Sequence, residues 1–277
     1  MKVGFIGTGS MGSILIEAFI QSGALNPDQI VATNRTITKV EHLAAAYPGL
    51  QVAHSNIEVV TSSSLIFLCV KPADYKVVLS EIKEAADPDR LLVSITSPVQ
   101  IRLLEEQLRC KVAKIIPSIT NYVFSGATLC IFGDRLEVED KELLENLLSY
   151  ISAPIRVSEN YTRISSDLSS CGPAFLAYFI QKFIQASVEE TGISEEEATQ
   201  LASEMTLGTG KLLTTGGFTP ASLQKRVSVP GGITAEGLRI MEKELHGMFN
   251  SLIRTTHSKY QEDLEKVEAL FHESKDD

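Results

Sequence analysis

The feature that most constrains this chain lies in its first residues. Val3-Gly4-Phe5-Ile6 is a short apolar run, Gly7-Thr8-Gly9-Ser10-Met11-Gly12 follows it, and an amphipathic stretch from Ile14 to Ile20 comes next. This is G-x-G-x-x-G in the strand–turn–helix setting that holds a dinucleotide pyrophosphate. Gly7 permits the tight turn, Gly9 lets the backbone approach the phosphates, and Gly12 lets the helix pack close to the strand. Free N–H groups at the helix start, together with the helix dipole, favour an anion there. Gly7, Thr8, Gly9, Ser10, Met11 and Gly12 are therefore candidate cofactor-binding positions.

The choice of nucleotide falls at the end of the second strand. Gln29–Thr33 reads as that strand, and it ends in Asn34-Arg35-Thr36. An NAD-binding fold places Asp or Glu near this point to accept hydrogen bonds from the ribose hydroxyls, and such a carboxylate repels a 2′-phosphate. Here an amide, a guanidinium and a hydroxyl stand instead, all suited to phosphate. The expected cofactor is NADP(H), with NAD(H) as the second candidate.

Bulk properties exclude several other classes. The 277 residues are 44% hydrophobic and 22% charged, a globular balance with one large or two ordinary domains. A net charge of −10 speaks against a nucleic-acid-binding surface. The acidic residues concentrate in helix-like segments, Glu137–Glu145, Glu189–Glu197 and the chain from Glu262 onward, which read as solvated faces. No apolar run reaches membrane-spanning length, and the chain enters its first strand with no signal-peptide pattern before it. The four cysteines (Cys69, Cys110, Cys130, Cys171) contain no C-x-x-C, and the five histidines show no ligand spacing. The expectation is a cytoplasmic protein with reduced thiols and no structural metal, binding neither nucleic acid nor membrane.

Along the chain, strand and helix patterns alternate up to about Tyr161. Further strands are expected at Gln51–His54, Leu65–Val70, Leu91–Ile95, Val112–Ile116, Thr128–Phe132 and Ile155–Val157. Helical patterns cover Lys39–Tyr47, Tyr75–Ala86 and Ile101–Leu108. Continuous apolar strands such as Leu65–Val70 suit a parallel sheet buried on both faces. Beyond Tyr161 only helical patterns remain: Pro173–Glu190, Ser194–Leu213, Ala235–Glu244, and Met248 to about Phe271. The fold class is α/β, an N-terminal Rossmann doubly wound sheet (residues 1–160) followed by an all-helical C-terminal domain (161–277). The first helix of that second domain is too apolar to stand alone, which points to burial against a partner subunit.

Three further motifs carry possible chemistry. Strand four ends in Val70-Lys71-Pro72. Strand ends of this kind meet the ligand in an open α/β sheet, so Lys71 is a candidate cofactor contact, and Pro72 can open the next helix. Ser169-Ser170-Cys171-Gly172-Pro173 precedes the most apolar helix, with Gly and Pro expected to set a sharp helix start. Val229-Pro230-Gly231-Gly232-Ile233-Thr234 feeds another helix, and its bare amides make a ready carboxylate site. Thr234 adds a hydroxyl to the same turn, where it could equally serve as a helix cap.

Together these stretches resemble the pyrroline-5-carboxylate reductase family over essentially the full length. The matching residues are the Gly7–Gly12 turn, Asn34-Arg35, Asn56, Val70-Lys71-Pro72, Gly172-Pro173-Ala174, and Pro230-Gly231-Gly232 with Thr234. The resemblance implies a Rossmann domain followed by a helical domain that interlocks with a second subunit, so a homodimer or higher homo-oligomer. It also implies reduction of the cyclic imine 1-pyrroline-5-carboxylate to proline with NAD(P)H, in proline biosynthesis. By position, Asn34, Arg35 and Asn56 hold the adenosine 2′-phosphate end, and Val70, Lys71 and Pro72 run along the cofactor toward its nicotinamide. Gly231, Gly232, Ile233 and Thr234 take the substrate carboxylate, and catalytic Thr234 hydrogen-bonds the ring nitrogen. A protonated imine is already electrophilic, so positioning and one oriented donor supply most of what is needed.

The departures from the family pattern cluster away from the nucleotide. Its Arg-x-Met-Pro-Asn-Thr-Pro reads here Lys114-Ile115-Ile116-Pro117-Ser118-Ile119-Thr120. Cys171 and Phe175 replace Ser and Tyr in the Gly172-Pro173 stretch, Val229 replaces Ser before Pro230, and Pro98 replaces Gly. Loss of the hydroxyl at 229 removes a hydrogen bond to a charged carboxylate, about 1.5–3 kcal/mol. An intact nucleotide half beside drifted substrate surroundings resembles the late-competence-operon branch of the family. Two other readings stand beside the reductase. One is an NADP-binding regulatory or interaction paralogue with reduced turnover. The other is a β-hydroxyacid dehydrogenase, which wants a lysine one turn into the first helix of the second domain. That helix runs from Pro173 to Gln181 without one, and Lys182 lies too deep.

Overall fold

A computed structural model describes residues 1–272. The end of the acidic stretch that begins at Glu262, residues 273–277, lies outside them. Two compact units emerge: Met1–Pro173 together with the chain from Thr255 on, and Ala174–Arg254.

The first unit is built on an eight-stranded sheet. Its strands are β1 (Val3–Ile6), β2 (Ile30–Thr33), β3 (Gln51–Val52), β4 (Leu65–Leu68), β5 (Leu91–Ser94), β6 (Lys111–Ile116), β7 (Ala127–Phe132) and β8 (Ala153–Arg156). Their order is β3-β2-β1-β4-β5-β6-β7-β8, so the winding reverses between β1 and β4, where such sheets bind ligands. Strands β1, β2, β4 and β5 are buried at every position, as their unbroken apolar runs require of a sheet covered on both faces. The covering helices are α1 (Ser10–Gln21), α2 (Thr38–Ala46), α3 (Asn56–Ser62), α4 (Tyr75–Ile82), α5 (Ile101–Gln107) and α6 (Val138–Ser149). Phe5, Phe19 and Phe67 pack together in the core of one face, with the Phe5 and Phe67 rings stacked 5.0 Å apart and Phe19 tilted against both.

All neighbouring pairs run parallel except β6 and β7, which are antiparallel. The link between these two is a short 3-10 turn, Ile119–Val123, with no crossover helix to carry the chain back to the other end of the sheet.

The Gly172-Pro173 stretch differs from the sequence expectation. No fresh helix starts there. Helical backbone runs on from α7 (Thr162–Ser166) through one π turn, Asp167–Cys171, into α8 (Gly172–Thr191). A proline inside a helix has no N–H and crowds the carbonyl four residues back. For Pro173 that carbonyl belongs to Ser169, and it accepts instead from the Ser118 hydroxyl at 3.2 Å. The wider π turn absorbs the mismatch.

The second unit continues with α8, α9 (Glu195–Thr214), α10 (Pro220–Val227), α11 (Ile233–Glu244) and the start of α12 (Met248–His272). Helix α8 buries none of its side chains, and α9 buries only Ala198 and Ala202. The later part of α12 belongs to the first unit. There Val267 enters the core, the Thr256 hydroxyl donates to Asp167 at 2.7 Å, and Arg102 pairs with Glu268 at 2.5 Å.

Among the described residues no helix is long and apolar enough to cross a membrane, and no cluster of His, Cys, Asp and Glu could hold a metal.

Candidate functional site

Between β1 and α1 the three motif glycines hold three different positions. Gly7 has φ +98° and donates its N–H to the Thr33 carbonyl at 2.9 Å. A Cβ there would come within 2.6 Å of the Cys69 carbonyl, so only glycine joins β1 to the end of β4 this tightly. A Cβ on Gly12 would overlap the Gly7 carbonyl itself, which is the close helix–strand packing the motif demands. At Gly9 an added Cβ would meet no atom within 4 Å, so no packing inside the chain explains its bareness. Open space at this position is what a close backbone approach to a pyrophosphate requires. No side chain caps that start, and its first amides stay free. Thr8 is buried, and its hydroxyl has no partner. Bare amides, an orphaned buried hydroxyl and an open position at Gly9 fit a pyrophosphate.

Next to this turn a cleft of about 340 Å³ opens at the carboxyl ends of β1, β4, β5 and β6. Gly9, Ser10 and Met11 form one side, Cys69, Val70 and Lys71 the floor, and Ile95, Thr96, Ile116 and Pro117 the far wall. Lys71 precedes a 3-10 turn, Pro72–Asp74, which leads straight into α4, so Pro72 opens a helical segment as expected. The Thr96 hydroxyl donates to the Val70 carbonyl at 3.1 Å and ties wall to floor. Cys69 faces the cleft, but burial pushes its thiol well above the ordinary range, so it stays protonated.

Asn34, Arg35 and Asn56 follow the adjacent strands β2 and β3. The Asn34 amide donates to the Thr36 carbonyl at 3.2 Å and shapes the turn. Arg35 is 88% exposed and stands 3.6 Å from Asp74. So loose a pair is easily exchanged for a phosphate. Asn56 opens α3 and donates to Glu81 at 2.5 Å. Asp74 and Glu81 are the residues that sequence reasoning missed here. Both reach these positions only through the fold, and no local pattern marks them.

The Pro-Gly-Gly turn belongs to the second unit. Gly231 has φ +74°, Gly232 caps α11, and Ile233 is 94% exposed. Thr234 therefore sits inside the first turn and is not the cap. Its exposed hydroxyl has no partner among the described residues.

These features define a dinucleotide-binding protein with a Rossmann-type site and a second, helical unit. Residues 2–98 match the family described as NADP oxidoreductase coenzyme F420-dependent, and residues 159–263 match pyrroline-5-carboxylate reductase dimerisation. Pyrroline-5-carboxylate reductase 3 of Rattus norvegicus is 30% identical over 87% of this chain and 88% of its own. The ComE operon protein 4 of Bacillus subtilis is 43% identical over 98% of this chain and 100% of its own. Plasmodium falciparum pyrroline carboxylate reductase, solved with NADP bound, superposes with a TM-score of 0.79 at 25% identity, covering 98% of each chain. The chain belongs to the pyrroline-5-carboxylate reductase family, and its dinucleotide site is an NADP(H) site.

Proposed function

We propose that this protein reduces a cyclic imine with NADPH, and that 1-pyrroline-5-carboxylate, giving L-proline, is its first substrate. The observation that carries the proposal is the Gly231–Thr234 turn. At one helix start it presents the amides of Gly231, Ile233 and Thr234 and a threonine hydroxyl, all unpaired among the described residues, while the Gly232 N–H is held by the Val229 carbonyl at 2.9 Å. These are the donors that a carboxylate and an adjacent ring nitrogen require. Bound NADPH supplies the hydride. In this reading the amides of Gly231, Ile233 and Thr234 hold the carboxylate, Gly232 shapes the turn in place of the donor role expected of it, and the Thr234 hydroxyl hydrogen-bonds the ring nitrogen. Asn34, Arg35 and Asn56 carry the 2′-phosphate end, the turn from Gly7 to Gly12 takes the pyrophosphate, and Val70, Lys71 and Pro72 follow the cofactor along the cleft floor. The reaction belongs to amino-acid biosynthesis in the cytoplasm.

The same reading makes the protein a homodimer or larger homo-oligomer through its helical unit. Leu176, Phe179, Phe183, Leu201 and Met205 are each 44–64% exposed within one chain, and the match to a dimerisation family covers them. A regulatory paralogue with reduced turnover is the second reading, favoured by Ile119 and Val229, which leave apolar side chains exposed where the family pattern has hydroxyls.

Thr234→Ala tests the first reading. In a reductase it lowers kcat at least tenfold and leaves NADPH affinity intact, because the lost donor acts on the reacting ring. An unchanged kcat removes Thr234 from the catalytic role.

A further inference from the structure

Lys114 is fully buried in the middle of β6, one of the largest side chains in the first unit with no exposed surface. A charge there is costly unless each of its protons finds an acceptor. All three do: the Ser97 carbonyl at 3.4 Å, the Val99 carbonyl at 3.2 Å and the Glu159 carboxylate at 2.5 Å. Burial pushes the ammonium below its ordinary range, and Glu159 acts against that displacement. An apolar residue would pack a strand interior at lower cost. What the ammonium does instead is bind backbone that no sheet ladder can satisfy.

That backbone, Ser97-Pro98-Val99, continues directly from the cleft wall formed by Ile95 and Thr96. It is pinned from three sides. Lys114 holds it from β6, and the Tyr260 hydroxyl on α12 donates to the Ser97 carbonyl at 3.1 Å. Glu159 also accepts the Ile101 N–H at 3.1 Å and so fixes the far end, where α5 begins. Strand alternation puts Lys114 on the same face as Ile116, another wall residue.

The wall belongs to one half of the cofactor. A dinucleotide straddles the point where the strand order reverses, here between β1 and β4. Arg35, after β2, lies on the adenosine side, and the ends of β5 and β6 lie on the other.

We propose that Lys114 is a positioning residue whose three bonds set the Ile95–Thr96 wall against the nicotinamide half of NADP(H). The inference rests on the cofactor orientation given above, with Arg35 at the 2′-phosphate. Its test titrates the full-length protein with NADPH and, separately, with adenosine 2′,5′-bisphosphate, which carries the adenosine end alone. Wild-type protein binding both ligands supports the orientation; failure of the wild type to bind the bisphosphate contradicts the orientation and overturns the proposal with it. Lys114→Met keeps an unbranched stem and removes the donors. It weakens NADPH about tenfold, leaves the bisphosphate unchanged, and Lys114→Arg restores much of the loss. Equal losses for both ligands, or no loss for NADPH, overturn the proposal. If Lys114→Met does not fold, Tyr260→Phe removes a single bond from the same backbone. It shows a smaller loss confined to NADPH, and a uniform or absent loss overturns the proposal equally.

Discussion

The α/β unit buries the strands at its centre on both faces, and the helical unit buries almost none of its apolar side chains. In the first, strands β1, β2, β4 and β5 are buried at every position, and three phenylalanine rings close one face. In the second, α8 carries Leu176, Phe179 and Phe183 with more than two fifths of each exposed, and buries no residue. Composition does not explain the contrast, because both halves are rich in apolar residues. The difference lies in geometry. Parallel strands with crossover helices supply both covering layers from one chain, whereas an apolar helix needs a facing surface, and α8 fully buries none of its side chains. The nucleotide half buries its core strands in a single copy, and the helical half leaves its apolar side chains exposed.

The largest effect that can break this comparison is a charge on the uncovered face. Phe179→Glu places a carboxylate where a second copy is proposed to pack, and an unpaired buried charge costs several kcal/mol. Sedimentation should show monomers in place of dimers, while NADPH binding persists. A variant that still assembles would contradict a partner at α8. Arg35→Ala comes next and sharpens the other side. Loss of a charge-assisted phosphate contact weakens NADPH by about 1.5–3 kcal/mol, or roughly tenfold to a hundredfold, and leaves NADH nearly unchanged. Equal losses would remove Arg35 from the 2′-phosphate. The smallest effect concerns the end of α12. Arg102 holds the Glu268 carboxyl below its ordinary value, so the pair contributes stability above the usual carboxylate range and loses it as pH falls through the lowered value. Acid should therefore lower Tm more steeply in wild type than in Glu268→Gln. The pair is largely exposed, which keeps the difference small.

Much of the nucleotide half can be read along the chain because its constraints are local. Gly12 answers to the Gly7 carbonyl in the same turn and Gly9 to open space, and Gly7, though it meets Cys69 at the end of β4, is marked by the same six-residue motif. Helix α3 escapes a reading based on apolar periodicity, since it is only seven residues long. Its signal is the capping pattern: Ser55 accepts the Glu58 N–H at 3.1 Å, and Glu58 accepts the His54 N–H at 2.8 Å. The direction of β7 is hidden, because an apolar strand such as Thr128–Phe132 reads alike parallel or antiparallel; only the short connection before it carries the clue. The π turn at Asp167–Cys171 depends on Ser118 relieving the Ser169 carbonyl, a contact 51 residues away in sequence. The candidate site divides in the same way. Its glycine turns are motifs, whereas Asp74 beside Arg35, Glu81 beside Asn56 and the Lys114 clasp exist only once strands and helices have met.

Whether this family member turns over a cyclic imine with NADPH is decided by steady-state NADPH oxidation with 1-pyrroline-5-carboxylate, with proline measured as product. Substrate-dependent oxidation with one proline formed per NADPH consumed is the expected result. Tight NADPH binding with no oxidation and no proline would contradict it and favour the regulatory reading.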